Sequence, residues 1–185
     1  GILDQMGIKE CEEDALPDIL VLNTCSIREN AQDRLFGNLG RWKGIKNNNP
    51  DMIIIVCGCM MKQDFNVDKI DKSFRFVDLV FGPQDVFRLP ELICRYIAGN
   101  KKIIDVSQED YIIEDQDCPV IRKRKFRALV PIMYGCNNYC SYCVVPYTRG
   151  VERSRDPVAI TEQIRTLDEE GYKEIMLLGQ NVNSY

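Results

Sequence analysis

The sequence predicts an α/β protein, with a three-layer parallel-sheet N-terminal domain followed by the start of a partial (β/α) barrel. Three observations carry this expectation. Short, continuously apolar runs recur along the chain, as in strands covered on both faces. Stretches of helical periodicity separate them in β-α-β order. A polar connection then divides the chain, and a second β-α-β pattern begins beyond it.

Taken in order, residues 19–23 (I-L-V-L-N) make a first short strand. Ile27, Ala31, Leu35, Leu39 and Trp42 follow at helical spacing, predicting a helix over about residues 26–46. The N-N-N-P segment ending at Pro50 stops it. Residues 52–56 and 77–81 give a second and a third strand. Val86, Leu89, Ile93 and Ile97 mark a helix that closes at Gly99. Residues 105–125 are polar and mixed in charge, with a short hairpin expected through Tyr111, Ile112 and Ile113. A strand over 128–133 opens the second part despite Pro131, which suits a position that needs no ladder N–H. Asp156 and Pro157 start a helix as N-cap and first residue. Ile160, Ile164 and Leu167 form its apolar stripe, Gly171 ends it, and residues 174–178 make the next strand. The expected domains are 1–115 and 128–185, joined by a basic linker at 116–127. A whole (β/α) barrel takes ~250 residues, so the second domain is the first part of one.

Composition narrows the function. With 45% hydrophobic and 28% charged residues among 185, the chain is ordinary globular material. No run reaches the ~18 apolar residues of a membrane span, and the residues after Gly1 lack the apolar core of a signal peptide. A cytoplasmic protein with no membrane partner is expected. The net charge of −4 gives no overall attraction to nucleic acid. The local exception is a basic run of Arg122, Lys123, Arg124, Lys125 and Arg127. It suits phosphate contact or a solvated linker equally.

Nine cysteines and no histidine make thiolate metal or redox chemistry the leading class. Zinc sites containing histidine, Cys–His dyads and Ser–His triads are all excluded. The segment G-C-N-N-Y-C-S-Y-C over residues 135–143 spaces Cys136, Cys140 and Cys143 as C-x3-C-x2-C. Three thiolates this close can hold one cubane cluster and leave one iron open to a small chelating molecule. A structural zinc site would need a distant fourth cysteine. A ferredoxin-type carrier usually spaces its cysteines C-x2-C-x2-C, with a fourth following. Chance clustering is the remaining alternative, and the sequence after the cysteines speaks against it.

In the first domain, Cys25 and Cys59 lie just past the ends of predicted parallel strands, where open α/β sheets gather ligands. Adjacent strands run ~4.8 Å apart, so the two could face one site. Cys11 sits in an acidic loop that disfavours its thiolate. Cys57 and Cys94 are expected in the core, and Cys118 is expected to be an inert surface thiol.

Two groups of residues then carry a family resemblance. The C-x3-C-x2-C loop with Tyr142 before its third cysteine resembles the radical S-adenosylmethionine superfamily. The string R-G-V-E-R-S-R over residues 149–155 is similar to that of the methylthiotransferases within it. N-T-C-S-I-R-E-N-A over residues 23–31 and V-C-G-C-M over residues 56–60 resemble two motifs of that family's N-terminal domain. The resemblance implies a [4Fe–4S] cluster on Cys136, Cys140 and Cys143. Its open iron would chelate S-adenosylmethionine, which one-electron reduction splits to a 5′-deoxyadenosyl radical. It implies cofactor-binding roles for Tyr142, Arg149, Gly150 and Glu152. It also implies a second, auxiliary [4Fe–4S] cluster on Cys25 and Cys59, the family's remaining cysteine lying upstream of this chain. No catalytic residue is assigned. Tyr139 and Tyr147 are further candidates for stacking on an adenine ring.

Residues 25–31 and the L-G-Q-N-V-N-S-Y ending resemble most the tRNA branch of the family. That branch adds a methylthio group to carbon 2 of N6-isopentenyladenosine beside the anticodon. The implied partners are tRNA and a reductant such as flavodoxin or ferredoxin. The alternatives are a methylthiotransferase for threonylcarbamoyl-adenosine in tRNA or for a ribosomal-protein aspartate, and a non-catalytic iron–sulfur electron-transfer module. The family pattern also includes a longer barrel and an RNA-binding domain. The chain alone is therefore expected to be inactive.

Overall fold

The computed structural model describes residues 1–12, 15–28, 30–99, 101–107 and 119–185. The chain divides into two compact units, Gly1–Pro119 and Val120–Tyr185. The expected hairpin at residues 111–113, Cys118 and the first residues of the linker lie outside the described residues.

The first unit is built on a four-stranded sheet. Its strands are β1 (Ile19–Thr24), β2 (Ile53–Gly58), β3 (Leu79–Phe81) and β4 (Ile103–Asp105). They lie in the order β1-β2-β3-β4, and every pair is parallel. Helices α1 (Ile2–Gln5), α2 (Ala31–Asn48), α3 (Asp64–Ser73) and α4 (Leu89–Gly99) cover it. All six residues of β2 are buried, and its side chains alternate between two cores. Ile54 and Val56 pack with Leu35 and Leu39 of α2 and Ile70 of α3. Ile53, Ile55 and Cys57 pack with Leu89, Leu92 and Ile93 of α4, joined by Ile2 and Leu3 of α1. This is the three-layer parallel sheet that the apolar runs predict.

Two expectations need correcting. The helix after β1 starts at Ala31 rather than near residue 26, leaving Ile27 exposed before it. On α4 the buried stripe is Leu89, Leu92 and Ile93 with Tyr96 beside it, so Ile97 and Cys94 are exposed. One step of a helix turns 100°, which carries Cys94 off the buried face that Ile93 occupies.

Buried polar groups tie the layers together. The Asp78 carboxylate accepts from the Ile54 N–H at 2.7 Å and from the Tyr96 hydroxyl at 2.6 Å, and it pairs with Lys46. One side chain thus links β2, α2 and α4. Asp85, fully buried, accepts from the N–H groups of Gly82 at 3.2 Å and Ser107 at 3.1 Å. It fastens the chain leaving β3 to the chain leaving β4. Arg88 grips Asp105 through two nitrogens, at 3.2 and 2.9 Å. Those hydrogen bonds, more than the guanidinium charge itself, hold the Asp105 carboxyl below its usual range against the opposing effect of burial.

The second unit contains a parallel pair, β5 (Arg127–Pro131) and β8 (Glu174–Leu178), joined through α6 (Pro157–Glu169). Ala128, Val130, Ile160 and Leu167 form its core. The Asp156 side chain accepts from the Val158 N–H at 3.1 Å and Pro157 is the first helical residue, as the sequence predicts. The strand expected over 128–133 breaks in two. Pro131 is the last residue in register with β8, opposite Leu178. Beyond it, β6 (Met133–Tyr134) pairs antiparallel with β7 (Arg153–Ser154). A five-residue helix, α5 (Val145–Arg149), lies between them in sequence. Among the described residues no helix is long and apolar enough to cross a membrane.

Two outcomes check this account. Replacing Tyr96 with Phe removes a hydrogen bond to a buried carboxylate and lowers unfolding free energy by about 1.5–3 kcal/mol, read from urea melts. Asp105 has a lowered folded-state pKa, so its stabilisation is present above the unfolded carboxyl value and lost as pH falls through the folded one. Stability therefore drops below about pH 4, and Asp105→Asn flattens that acid limb.

Candidate functional site

In the second unit the cysteine loop leaves β6 and returns through β7. Met133 pairs with Ser154 and Tyr134 with Arg153, so the two ends of the loop are clamped together. Gly135 turns the chain out of the clamp with φ 74°, and a Cβ there would lie 2.1 Å from the Val151 carbonyl oxygen. Only glycine fits that approach. The Cys136 N–H donates to the Gly150 carbonyl at 3.3 Å, and the Cys143 N–H donates to the Cys140 carbonyl at 2.9 Å. The Glu152 N–H donates to Asn137 Oδ1 at 2.9 Å, a third tie across the loop. Gly135 and Asn137 are structural parts that sequence reasoning missed. Their signal was modest: a glycine directly before a cysteine, and an asparagine in a loop.

The three thiols form a gradient of exposure. Cys136 is buried, Cys143 is half-buried and Cys140 is exposed, and all three are free cysteines. Among the described residues, no three or more Cys, Asp or Glu side chains are gathered as a metal-holding group. The loop thus brings Cys136, Cys140 and Cys143 together along the backbone without converging their sulfurs. The donor chemistry still suits an iron–sulfur cluster. Three free thiols stand on one clamped loop, with neither histidine nor a carboxylate gathered among them.

The residues after the loop divide between structure and solvent. Arg155 is buried and donates to the Pro131 carbonyl and to Gln163 Oε1 at 3.1 Å, anchoring the clamp to β5 and α6. Arg149 follows the loop on α5, and its Nε is buried without a hydrogen-bond partner among the described residues. A buried donor left over is an opening for an acceptor from outside the chain. Gly150 is buried with φ 76°, while Glu152 contributes its backbone N–H to the loop. Tyr142 is 90% exposed. Tyr139 and Tyr147 meet edge to face at 5.9 Å between ring centroids, and both remain exposed.

In the first unit, Cys25 and Cys59 leave adjacent strands together. Thr24 and Gly58 are the last residues in register between β1 and β2, and the two cysteines follow them directly. Gly58 has φ 100°, and a Cβ would lie 2.4 Å from the Thr24 carbonyl oxygen. Thr24 Oγ1 donates to the Cys57 carbonyl at 2.7 Å, fixing the same junction. Cys59 is buried and Cys25 half-buried. Burial, with the neighbouring Cys59, pushes the Cys57 thiol up to about 12 and keeps it protonated in the core. Cys11 is exposed.

The model of the Uncharacterized protein family UPF0004 matches residues 1–82, and that of the Radical SAM superfamily matches residues 130–185. Curated relatives match the whole chain. One from Clostridium tetani is 49% identical over 186 residues, covering 100% of this chain and 41% of the relative. One from Lachnoclostridium phytofermentans is 50% identical, covering 100% of this chain and 40% of the relative. One from Bacillus subtilis is 46% identical, covering 100% and 36%. All three are named tRNA-2-methylthio-N(6)-dimethylallyladenosine synthase. The chain spans about two fifths of the length of the curated relatives it matches.

Gly135→Ala tests the clamp. The left-handed backbone and the blocked Cβ position predict a loss of about 1–3 kcal/mol in urea unfolding of the chain. Gly171→Ala, also at positive φ but with open space around its Cβ, is expected to cost less.

Proposed function

We propose that this chain, which belongs to the radical SAM methylthiotransferase family, is part of an enzyme that adds a methylthio group to tRNA. The proposed target is carbon 2 of N6-isopentenyladenosine beside the anticodon, and the proposed setting is the cytoplasm. The observation that carries this reading is the clamped cysteine loop followed by R-G-V-E-R-S-R, which runs from the end of α5 through the returning strand β7. The two features that mark the family in sequence are the two sides of one folded device.

Cys136, Cys140 and Cys143 would hold a [4Fe–4S] cluster through their thiolates. When bound, that cluster supplies the electron that cleaves S-adenosylmethionine. The protein's own part is positional. The β6–β7 clamp, Gly135 and the Asn137–Glu152 hydrogen bond fix where the loop leaves the sheet. Arg155 anchors that clamp to α6. The unpartnered Arg149 Nε offers a donor to the carboxylate of S-adenosylmethionine. Gly150 keeps the returning backbone close to Cys136, and Glu152 stays beside the loop through its N–H. Tyr142, free at the surface, is available to close over an adenine ring.

In the first unit, Cys25 and Cys59 would contribute to an auxiliary [4Fe–4S] cluster from adjacent strand ends. We assign residues 1–115 to that auxiliary-cluster domain, 116–127 to a basic linker and 128–185 to the first part of the radical SAM domain. A small electron-transfer protein such as flavodoxin or ferredoxin is the reductant we expect.

Two measurements check the reading. After anaerobic reconstitution, Cys136→Ala, Cys140→Ala and Cys143→Ala should each lower iron bound per chain, with circular dichroism unchanged. Iron content equal to the parent in all three contradicts the ligand assignment. In a strain lacking the full gene, mass spectrometry of tRNA nucleosides should show loss of methylthio-isopentenyladenosine. Its persistence, or loss of the methylthio-threonylcarbamoyl nucleoside instead, contradicts the substrate.

A further inference from the structure

A cavity of about 330 Å³ opens between β1 and the first turns of α2, with Cys25 on its wall. Arg28 and Arg34 line it, as do Asn23 and Asn38. Among the described residues no carboxylate lines it. Neither arginine side chain makes a hydrogen bond or an ion pair among the described residues. This sets them apart from Arg88 and Arg95 of the same unit, which are paired with Glu91 and Asp105. In a chain with net charge −4, two guanidiniums unpaired among the described residues on one concave surface are a local reversal of sign. The same place receives the positive end of an 18-residue helix whose N-cap, Asn30, makes no side-chain cap hydrogen bond.

We propose that this cavity binds one nucleotide of a single-stranded RNA segment, with Arg28 and Arg34 on its phosphate. Arginine's planar fork matches phosphate oxygens in pairs, so two of them favour a phosphodiester over a spherical anion such as chloride. The volume sits at the lower end of ligand sites, about 300–1,000 Å³, which suits a nucleotide rather than a bare anion. The amides of Asn23 and Asn38 each supply a donor and an acceptor, the groups that read an unstacked base or a 2′-hydroxyl. A nucleotide held here would lie against Cys25. The inference rests on the tRNA reading above, and adds to it where the first unit grips the strand.

The test is fluorescence anisotropy of a labelled single-stranded oligoribonucleotide titrated with the full chain over a series of salt concentrations. Arg28→Gln/Arg34→Gln should weaken binding about tenfold. It should also shrink the slope of log K against log salt by ~0.7 for each phosphate that is no longer neutralised. Both arginines are exposed, so the variant keeps its fold, checked by circular dichroism. Arg28→Lys/Arg34→Lys should restore most of the salt slope and only part of the affinity, because the charge returns without the fork. Adenosine monophosphate should compete more weakly than the oligomer. Affinity and slope unchanged in the glutamine variant, absence of RNA binding by the parent, or competition by the monophosphate equal to the oligomer's would each overturn the proposal. None of these readouts needs a cluster, so they fail separately from the iron and nucleoside measurements above.

Discussion

Parallel pairing sends neighbouring strands out of a sheet at the same edge, and both cysteine-bearing regions depend on it. In the first unit β1 and β2 run in register to Thr24 and Gly58, so Cys25 and Cys59 emerge side by side. In the second unit β5 ends its pairing with β8 at Pro131, and the chain carries on into β6 and the cysteine loop. The buried face of each sheet fixes this arrangement. A slip of one residue in β2 would exchange the side chains facing α2 and α3 with those facing α4. It would also take Gly58 away from the Thr24 carbonyl, an approach that only a glycine permits. Register, and with it the position of the thiols, is thus held by the core rather than by the cysteines.

The two regions differ in how they are completed. The loop of Cys136, Cys140 and Cys143 is a short-range device. Its ends are joined by β6–β7, its entry is set by Gly135, and its interior is tied by backbone N–H groups of Cys136, Cys143 and Glu152. Such a frame can bring sulfurs together by side-chain rotation, since the backbone already holds their sequence neighbours close. Cys25 and Cys59 come from segments 34 residues apart in the sequence, and only the sheet relates them. The buried ties around Asp78 and Asp85 matter to this second pair, because they keep the strands and helices of the first unit in one arrangement.

Much of the fold was legible because burial on both faces leaves an unbroken apolar run. β1, β2, β3 and β8 each lie within two residues of the strand so predicted. The Asp156–Pro157 start of α6 was legible because capping is a local interaction. Other elements left no such trace. β4 is three residues long and α1 four, too short for a period to register. α3 buries Asn66 and Ile70, and one of the two is polar, so its apolar stripe is thin. The break after Pro131 is set by Arg155 and the return of β7, both distant in sequence. At the candidate site, spacing marked Cys136, Cys140 and Cys143, while Cys25 and Cys59 were marked by following predicted strands and by the family resemblance. The ties that hold the loop, from Asn137 to Glu152 and from Cys136 to Gly150, exist only once the chain has folded back. The arginine-lined cavity beside Cys25 was equally hidden, because Arg28 and Arg34 meet only where the strand turns into the helix.

The central claim is that the clamped loop presents a cluster to which S-adenosylmethionine binds directly. Electron–nuclear double resonance on the reconstituted, reduced chain tests it most directly, using S-adenosylmethionine labelled with ¹⁵N at the amino group and ¹⁷O at the carboxylate. Hyperfine coupling of both labels to the cluster is the predicted result, lost when Cys136, Cys140 and Cys143 are replaced together with alanine. A reduced cluster on these three cysteines whose spectrum shows coupling to neither label would contradict the account.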